Sequence, residues 1–211
     1  MVLHHYDASS LGLIQYLAGL AMIEAIINEP GYEFLLGKLR LKWPNDLYSD
    51  EDGDLKKLGG ILVNSQSHRD HFLLLIGFGF NIYDTPWTRS LNQVIATRGD
   101  KVITGWSKEL LLARWCQKFN ELYRQLITQG FPFDLYYRHW LHSGQVVFLE
   151  EEQQKVRIEG IDRNGFLLAK PHINGLLGLL NQSSICIDHQ FVLQPDGNSF
   201  DMMKNLIKRK D

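Results

Sequence analysis

The sequence predicts a mixed α/β (α+β) domain followed by a small, separate β-domain. Three observations support this prediction. Two long segments have the apolar spacing of helices, apolar strands alternate with them in the first two thirds of the chain, and short β runs fill the last third. We place the boundary near residue 142, so the predicted domains are residues 1–141 and 142–211.

The composition is that of an ordinary globular protein. Hydrophobic residues make up 45% of the 211 residues, charged residues make up 22%, and the formal net charge is −2. This balance gives no overall attraction to nucleic acid or to anionic membranes. Two cysteines, Cys116 and Cys186, do not make a disulfide framework, which favours a reducing compartment. No uninterrupted apolar stretch approaches the length of a membrane span and no secretory signal is present, so the sequence predicts a cytoplasmic protein.

The helices of the first domain differ in character. Residues 10–28 are apolar around much of the helix circumference, which is typical of a buried helix. Ser107–Gln129 carries a single apolar stripe, and Ser107 occupies the N-cap position. The stripe consists of Leu111, Trp115, Phe119, Leu122 and Leu126. A shorter helix is predicted after Pro132, from about Phe133 to Leu141.

The strands of the first domain are predicted at three places. Leu39–Trp43 alternates between apolar and charged residues and must stop at Pro44, because proline cannot continue a ladder. Gly59–Val63 and Phe72–Ile82 are apolar runs around a polar turn, which predicts a hairpin. The acidic segment Ser49–Asp54 between them is predicted to be a solvated loop.

The second domain is predicted to be a small barrel. Its short β runs cover residues 146–149, 156–161, 166–169 and 185–193, with turn residues between them. A basic cluster closes the chain and is predicted to be a solvated tail. The cluster consists of Lys204, Lys208, Arg209 and Lys210.

The first candidate site is the segment from Lys42 to Asp46. Pro44 ends the strand and holds Asn45 and Asp46 at the edge of the sheet, where ligand sites of α/β folds are often found. A cation, an amide and a carboxylate at such an edge can bind a polar ligand. Pro-Asn-Asp is also good turn chemistry, and composition alone favours that structural interpretation.

The second candidate combines Lys57 with two glycines, Gly59 and Gly60, at the start of an apolar strand. Glycines weaken a strand unless something approaches the backbone closely. A lysine beside such a gap can act as a point charge on a carboxylate or phosphate. An exposed lysine pair before a strand with a bulge would explain the same residues.

The third candidate is the strand segment Ile76–Asn81, in which apolar side chains alternate with glycines. Strand alternation places Gly77, Gly79 and Asn81 on one face. This bare backbone is a floor on which a flat ligand, or another element of the protein, can lie. A dinucleotide fingerprint is excluded because its third glycine and its helix are missing.

Taken in this order, the three candidates resemble the catalytic core of the biotin protein ligases. The resemblance is carried by Lys-Trp-Pro-Asn-Asp at 42–46, Lys-Leu-Gly-Gly-Ile-Leu-Val at 57–63 and Ile-Gly-x-Gly-x-Asn at 76–81. Further residues resemble the eukaryotic holocarboxylase synthetases in particular. These are Leu135–Arg138, Trp140, His142–Gln145 and Pro195–Met202. The resemblance extends from about residue 11 onward and implies a catalytic domain of the biotin/lipoate ligase type, followed by an SH3-like β-barrel.

The resemblance implies an ATP-dependent ligase that forms a C–N bond. In this family, biotin is converted to biotinyl-AMP with ATP and Mg²⁺. A lysine of the biotin carboxyl carrier domain of a carboxylase then takes the biotinyl group. Because two anions meet in the first step, cations should supply much of the stabilisation.

The resemblance also implies roles for individual residues. Lys57 is the expected catalytic residue, in contact with the biotin carboxylate and the adenylate oxygens. Biotin is expected at Lys57, Gly60, Ile61, Gly77 and Gly79, the nucleotide at Lys42, Asn45 and Asn81, and Mg²⁺ at Asp46.

Two departures from the family pattern are expected to matter. The Gly-Arg-Gly-Arg loop of the family does not occur in this sequence, so the chain is interpreted as N-terminally incomplete and little ligation is expected of these 211 residues alone. Residues 174–189 add an apolar insertion where the family has a short turn. Two alternatives stay open, a non-catalytic protein that binds the carrier domain and a lipoate ligase.

Overall fold

The chain divides into two units, Met1–Leu141 and His142–Asp211. The computed structural model describes residues 1–99, 105–172, 190–195, 198–201 and 204–209. The insertion expected at 174–189, which includes Cys186, lies outside these residues. So do Asp196, Gly197 and Met202 of the Pro195–Met202 motif, and Lys210 of the basic cluster.

The first unit is built on an antiparallel sheet. Its strands are β1 (Val2–His5), β2 (Leu39–Lys42), β3 (Asp46–Glu51), β4 (Asp54–His68) and β5 (His71–Phe80). Their order is β1-β5-β4-β3-β2, so β1 and β2 form the edges. The predicted strand before Pro44 and the predicted hairpin are both confirmed. The hairpin is longer than expected, and its turn lies at Arg69 and Asp70.

The solvated acidic loop predicted at Ser49–Asp54 is wrong. Strand β3 continues to Glu51 and pairs with β4, so only Asp52 and Gly53 form the turn. The carboxylates fit in strands because cations pair with them: Asp50 lies 3.8 Å from Arg40, and Glu51 pairs with Arg89. Strand β1 was also not predicted, because two of its four residues are histidines.

Helices cover one face of this sheet. They are α1 (Ile14–Ile27), preceded by a 3₁₀ helix (Ala8–Leu13), α2 (Leu91–Ala96), α3 (Lys108–Gln129) and α4 (Phe133–His139). Gly19 lets α1 approach closely, since a Cβ there would lie 3.0 Å from Leu41 and 3.1 Å from Ile61. Helix α3 packs on α1, where Trp115 donates from Nε1 to the carbonyl of Ala18 at 3.1 Å.

The three predicted helices of this unit are confirmed. Every residue of α1 except Gln15 is buried, and the buried residues of α3 are the predicted stripe from Leu111 to Leu126. Ser107 caps α3, because its Oγ accepts a hydrogen bond from the backbone N–H of Leu110 at 3.1 Å. Helix α4 ends at His139, two residues earlier than expected.

The segment Ala8–Ile27 reaches the length of a membrane span, although polar residues, among them Gln15 and Glu24, interrupt its apolar run. This segment has 20 residues and a mean hydropathy of 1.7, so its length and composition would allow it to cross a membrane. However, 83% of the apolar window is buried inside the unit. The apolar character is therefore explained by the position of α1 between the sheet and the other helices.

The second unit contains a six-stranded sheet. Its strands are β6 (Val146–Leu149), β7 (Gln154–Ile161), β8 (Leu167–Pro171), β9 (Phe191–Leu193), β10 (Asn198–Asp201) and β11 (Leu206–Arg209). Their order is β10-β11-β6-β7-β8-β9, which leaves β9 and β10 as edges among the strands described. The solvated basic tail is wrong in part, because Lys208 and Arg209 lie in β11 beside the fully buried Ile207.

Candidate functional site

Lys42, Asp46 and Lys57 form an ion-pair cluster at one end of the first sheet. Oδ1 of Asp46 lies 2.7 Å from Nζ of Lys57, and Oδ2 lies 3.6 Å from Nζ of Lys42. The β2–β3 hairpin places Lys42 opposite Asp46, and its turn contains a cis peptide bond between Trp43 and Pro44. Two ammonium groups share one carboxylate, so the cluster carries excess positive charge and suits an anionic ligand.

The three charged side chains differ in their exposure to solvent. The side chains of Lys42 and Asp46 are only 13% and 15% exposed, whereas that of Lys57 is 53% exposed. Asp46 is therefore the fixed member, and Lys57 is the cation that a ligand can approach. Tyr48 pairs with Lys57 across β3 and β4. Burial, and then the nearby Asp46 carboxylate, raise the pKa of Tyr48, so its hydroxyl stays protonated.

Gly60 lies directly against the carboxylate of Asp46. A Cβ at this position would be 3.0 Å from Oδ1 of Asp46, 3.6 Å from the carbonyl oxygen of Asn45 and 4.0 Å from Nζ of Lys57. A side chain there would compete with the carboxylate for space. The glycine that the resemblance assigned to biotin is therefore also needed for the ion-pair cluster.

Asn45 bonds strand β4 to the turn. Its Nδ2 donates to the carbonyl of Ile61 at 2.9 Å, and the N–H of Ile61 donates to the carbonyl of Asn45 at 2.8 Å. The side chain of Ile61 is buried against α1. Asn45 was expected at the nucleotide and Ile61 at biotin, but in the structure the side-chain amide of Asn45 and the backbone N–H of Ile61 already bond to one another's backbone carbonyls. Together they fix the turn beside Lys42 and Asp46.

Gln15 is a residue of this region that sequence reasoning missed. Its Nε2 donates to the carbonyl of Pro44 at 3.3 Å and so connects α1 to the turn. The available signal was its polarity, since Gln15 is the residue of α1 that is not buried. We interpret Gln15 as support for the turn.

The predicted glycine floor is present on the uncovered face of the sheet. Pairing of β4 with β5 places Gly60 opposite Gly79 and Leu62 opposite Gly77. A Cβ at Gly79 would meet nothing within 4 Å, and one at Gly77 would meet only the Leu62 carbonyl, at 3.9 Å. Leu62 and Leu75 are 59% and 54% exposed. We use the name glycine floor for Gly77 and Gly79, whose bare backbone can receive a flat, apolar ligand.

Gly59 has a different purpose from the glycine floor. A Cβ at Gly59 would collide with the carbonyl oxygen of Gly79 and would lie 2.9 Å from Cα of Phe80. Glycine is therefore required here for the pairing of β4 with β5. From the sequence alone, this glycine could not be distinguished from its neighbour Gly60.

Asn81 lies where β5 ends. Its backbone N–H donates to the carbonyl of Leu58 at 2.7 Å, and its carbonyl accepts from the N–H of Leu91 at 2.8 Å. The loop between Asn81 and α2 is tied to β3 by Arg89, whose guanidinium donates to both carboxylate oxygens of Glu51 at 2.9 and 2.5 Å. Asn81 is thus held at the end of the strand that carries the glycine floor.

The donor set around Asp46 fits a metal ion poorly. In the part of the chain that the structure describes, no group of three or more His, Cys, Asp or Glu residues could hold a metal. Mg²⁺ prefers oxygen ligands, whereas both oxygens of Asp46 face ammonium groups. Asp46 as a magnesium ligand stays a prediction, and the structure gives its carboxylate other partners.

Comparison with known proteins supports the resemblance seen in the sequence. Residues 1–81 match the Biotin/lipoate A/B protein ligase family. The chain is 38% identical over 204 residues to Biotin–protein ligase of Homo sapiens, an alignment that covers 93% of this chain and 25% of the human protein. It is 34% identical over 219 residues to Biotin–protein ligase 2 of Arabidopsis thaliana, covering 97% of this chain and 59% of the plant protein. The chain is a homologue of the biotin–protein ligases.

This chain spans less than two thirds of the length of either relative. Its fold is also similar to that of the biotin protein ligase from Aquifex aeolicus solved in complex with biotin and ATP, with a TM-score of 0.56 and 20% identity. That alignment covers 82% of this chain and 74% of the bacterial one. The mixed α/β ligase fold expected from the sequence is thereby confirmed.

Proposed function

We propose that this ligase homologue carries the catalytic core of an ATP-dependent biotin–protein ligase. Such an enzyme adenylates biotin to biotinyl-AMP and transfers the biotinyl group to a lysine of a carboxylase carrier domain. The observation that carries the proposal is the exposed ammonium of Lys57, which Asp46 holds close to Gly60, the strand partner of Gly79 in the glycine floor. The names of the relatives, and the biotin and ATP bound to the Aquifex aeolicus protein, support it.

The proposed chemistry needs cations beside an apolar surface, and this site has both. Joining a carboxylate to the α-phosphate of ATP brings like charges together, so fixed positive charge lowers the barrier. We propose that Lys57 bonds the biotin carboxylate and the adenylate oxygens, with Gly60 beside them. The ring system of biotin would lie over Gly77 and Gly79, where an added Cβ has no contact closer than 3.9 Å.

The nucleotide side of the site is assigned to Lys42, Asn45 and Asn81. Lys42 is held by Asp46 and adds positive potential. Since the amide of Asn45 already bonds to Ile61, we propose that Asn45 supports the site through the turn it fixes. Magnesium is proposed to enter on the phosphates of the nucleotide, as is usual where a protein supplies few carboxylates.

The second unit, the protein partner and the cellular location are also subjects of proposals. We propose that the six strands of the second unit close into an SH3-like barrel; the antiparallel pairing of β6, β7, β8 and β9 in sequence order supports this. A carboxylase carrier domain is the proposed protein partner. A cytoplasmic location is also proposed, because the unpaired, exposed Cys116 suits a reducing compartment.

The test is ATP-dependent transfer of labelled biotin to a carrier domain, measured with the longest natural reading frame that contains these residues. Lys57→Ala should abolish formation of biotinyl-AMP. Lys56→Ala is the matched control, because Lys56 is also 53% exposed and also pairs with an aspartate, Asp54, at 2.9 Å. Full activity of Lys57→Ala would remove Lys57 from its role.

Two alternatives are separated by the same assay. Carrier binding without ATP-dependent release of pyrophosphate would favour a non-catalytic carrier-binding protein. The matching family includes lipoate ligases as well as biotin ligases. Competition of lipoate against labelled biotin therefore decides between these substrates, and we expect biotin to be preferred.

A further inference from the structure

We propose that Asp46 is a positioning residue for Lys57 and not a metal ligand. This inference rests on the proposed function, since it concerns how Lys57 is presented to an anionic substrate. It differs from the role that the resemblance implied, in which Asp46 holds Mg²⁺.

Both oxygens of Asp46 are used within the cluster. Oδ1 is 2.7 Å from Nζ of Lys57 and lies against the backbone of Gly60, while Oδ2 is 3.6 Å from Nζ of Lys42. The side chain of Asp46 is 15% exposed. A divalent cation on this carboxylate would lie beside two ammonium groups, and like-charge repulsion opposes that arrangement. The geometry is that of an anion holding two lysines.

The same contact prepares Lys57 for a substrate. A lysine side chain is long and flexible, and an unpaired ammonium would sample many positions. Asp46 accepts from one N–H of the ammonium group and leaves the others for an incoming carboxylate or phosphate. Because Asp46 is mostly buried and fixed by the β2–β3 hairpin, it holds the ammonium of Lys57 close to Gly60, which pairs with Gly79 of the glycine floor. Such preorganisation lowers the entropy lost on binding.

The first test measures the reactivity of Lys57 directly. Wild type and Asp46→Asn are treated with a limiting amine-acetylating reagent, and acetylation at each lysine is quantified by peptide mass spectrometry. Lys57 should react about two- to fivefold faster in Asp46→Asn, the factor expected for loss of an ion pair that is partly exposed. Lys56, in the same peptide and with equal exposure, should be unchanged.

Two further variants keep this result specific. Asp54→Asn should raise acetylation of Lys56 and leave Lys57 unchanged, because Asp54 pairs only with Lys56 at 2.9 Å in the described contacts. Asp46→Glu should restore the slower reaction of Lys57, since a carboxylate is again within reach. If Lys57 reacts equally in wild type and Asp46→Asn while Lys56 behaves as expected, the proposal is overturned.

The second test asks about the metal. Millimolar Mg²⁺ should leave acetylation of Lys57 in the wild type unchanged, and titration with Mn²⁺ followed by electron paramagnetic resonance should give the same result for wild type and Asp46→Asn. A rise in Lys57 acetylation with Mg²⁺, or Mn²⁺ binding that disappears in Asp46→Asn, would show that Asp46 is a metal ligand and sink the proposal.

Binding of biotin in the presence of EDTA separates this inference from the proposed function. If Asp46 positions Lys57, Asp46→Asn should weaken metal-free binding of biotin by about two- to fivefold. If wild type binds no biotin but the acetylation pattern is as expected, the proposed function fails while the positioning of Lys57 stands. Unchanged binding of biotin in Asp46→Asn would contradict the inference while leaving the proposed function intact.

Discussion

Nε2 of His139 lies 2.7 Å from Oε1 of Glu24, a buried hydrogen bond that joins α4 to the core helix α1. The other carboxylate oxygen of Glu24 accepts from Nδ2 of Asn28 at 2.9 Å. Burial acts to raise the pKa of Glu24, but the hydrogen bonds from His139 and Asn28 outweigh it and hold the pKa below its usual value. Glu24 is therefore ionised at neutral pH, although it lies in the helical layer.

Glu24→Gln should destabilise the protein at neutral pH and approach wild-type stability in acid. A carboxylate whose pKa is lowered by folding stabilises the fold above its unfolded-state pKa, and this contribution disappears as pH falls through the folded-state pKa. We expect the free energy of unfolding to drop by about 1–3 kcal/mol near neutral pH. Urea denaturation of both proteins from about pH 7 to about pH 3 measures the difference.

The control for this prediction is Glu121→Gln. Glu121 forms an exposed ion pair with Lys118 at 2.8 Å, so its loss should change the free energy of unfolding by less than about 0.5 kcal/mol. A stability difference between Glu24→Gln and wild type that stays constant with pH would contradict the assigned role of the charge.

Ser107→Ala should destabilise α3. The hydroxyl of Ser107 accepts from the N–H of Leu110 at 3.1 Å, and loss of such a cap costs about 1 kcal/mol. Ser107→Asp is the matched variant, because it retains an acceptor and places negative charge at the helix N-terminus. Thermal unfolding should therefore show a lower Tm for Ser107→Ala only. Equal losses in the two variants would rule out capping as the cause.

Gly59→Ala should reduce stability, whereas Gly79→Ala should mainly reduce the binding of biotin. The added methyl at position 59 collides with the carbonyl of Gly79, and overpacking of this kind costs about 1–3 kcal/mol or more. At position 79 the methyl meets open space, so the free energy of unfolding should change by less than about 1 kcal/mol. Binding of biotin by Gly79→Ala should nevertheless be weaker, because the methyl occupies the glycine floor.

Urea denaturation and calorimetric titration with biotin test the two glycines together. If Gly79→Ala is as unstable as Gly59→Ala, the floor is not open. If Gly79→Ala is stable and binds biotin as wild type does, biotin does not lie over the glycine floor.

Asn45→Ala should destabilise the turn and the adjoining strand. It removes the donor that bonds to the carbonyl of Ile61 at 2.9 Å, and an unsatisfied, largely buried carbonyl costs about 1–3 kcal/mol. Hydrogen exchange should show faster exchange at the amide of Ile61, which donates to the carbonyl of Asn45. Asn64→Ala, on the exposed side of β4, should leave that exchange rate unchanged. Unaltered exchange of the Ile61 amide in Asn45→Ala would show that the Asn45 side chain does not stabilise its pairing with Ile61.

The helices were predictable because their pattern is local. The stripe of α3 follows from residue spacing alone, and each residue from Leu111 to Leu126 that was expected in the core is buried. Strand β3 was not predicted because its acidic residues are typical of a solvated loop. In the structure, Arg40 and Arg89 pair with Asp50 and Glu51, and the sequence does not indicate these partners. Strand β11 was not predicted for a similar reason, since two cations, Lys208 and Arg209, directly follow its one buried residue, Ile207.

Some features of the candidate site could likewise be predicted from the sequence, and others could not. The order of motifs from Lys42 to Asn81 indicated the ligase family, and alternation in β5 predicted the bare face at Gly77 and Gly79. The partners of Asp46 could not be read from the sequence. Lys42 and Lys57 reach it from two different strands, and the difference between the required Gly59 and the open Gly79 depends on how β4 and β5 pair.

The sequence by itself determined the similarity to the biotin protein ligases, the two long helices, the hairpin and the residue types of the site. These features depend on periodicity and on short motifs, which are properties of neighbouring residues. Only the tertiary structure decided that Asp46 holds Lys57 and that Asn45 bonds to Ile61. It also decided that the carbonyl of Gly79 occupies the space that a side chain at position 59 would need. Each of these contacts joins segments that are separate in the sequence, and their distances are set by register and packing across the sheet.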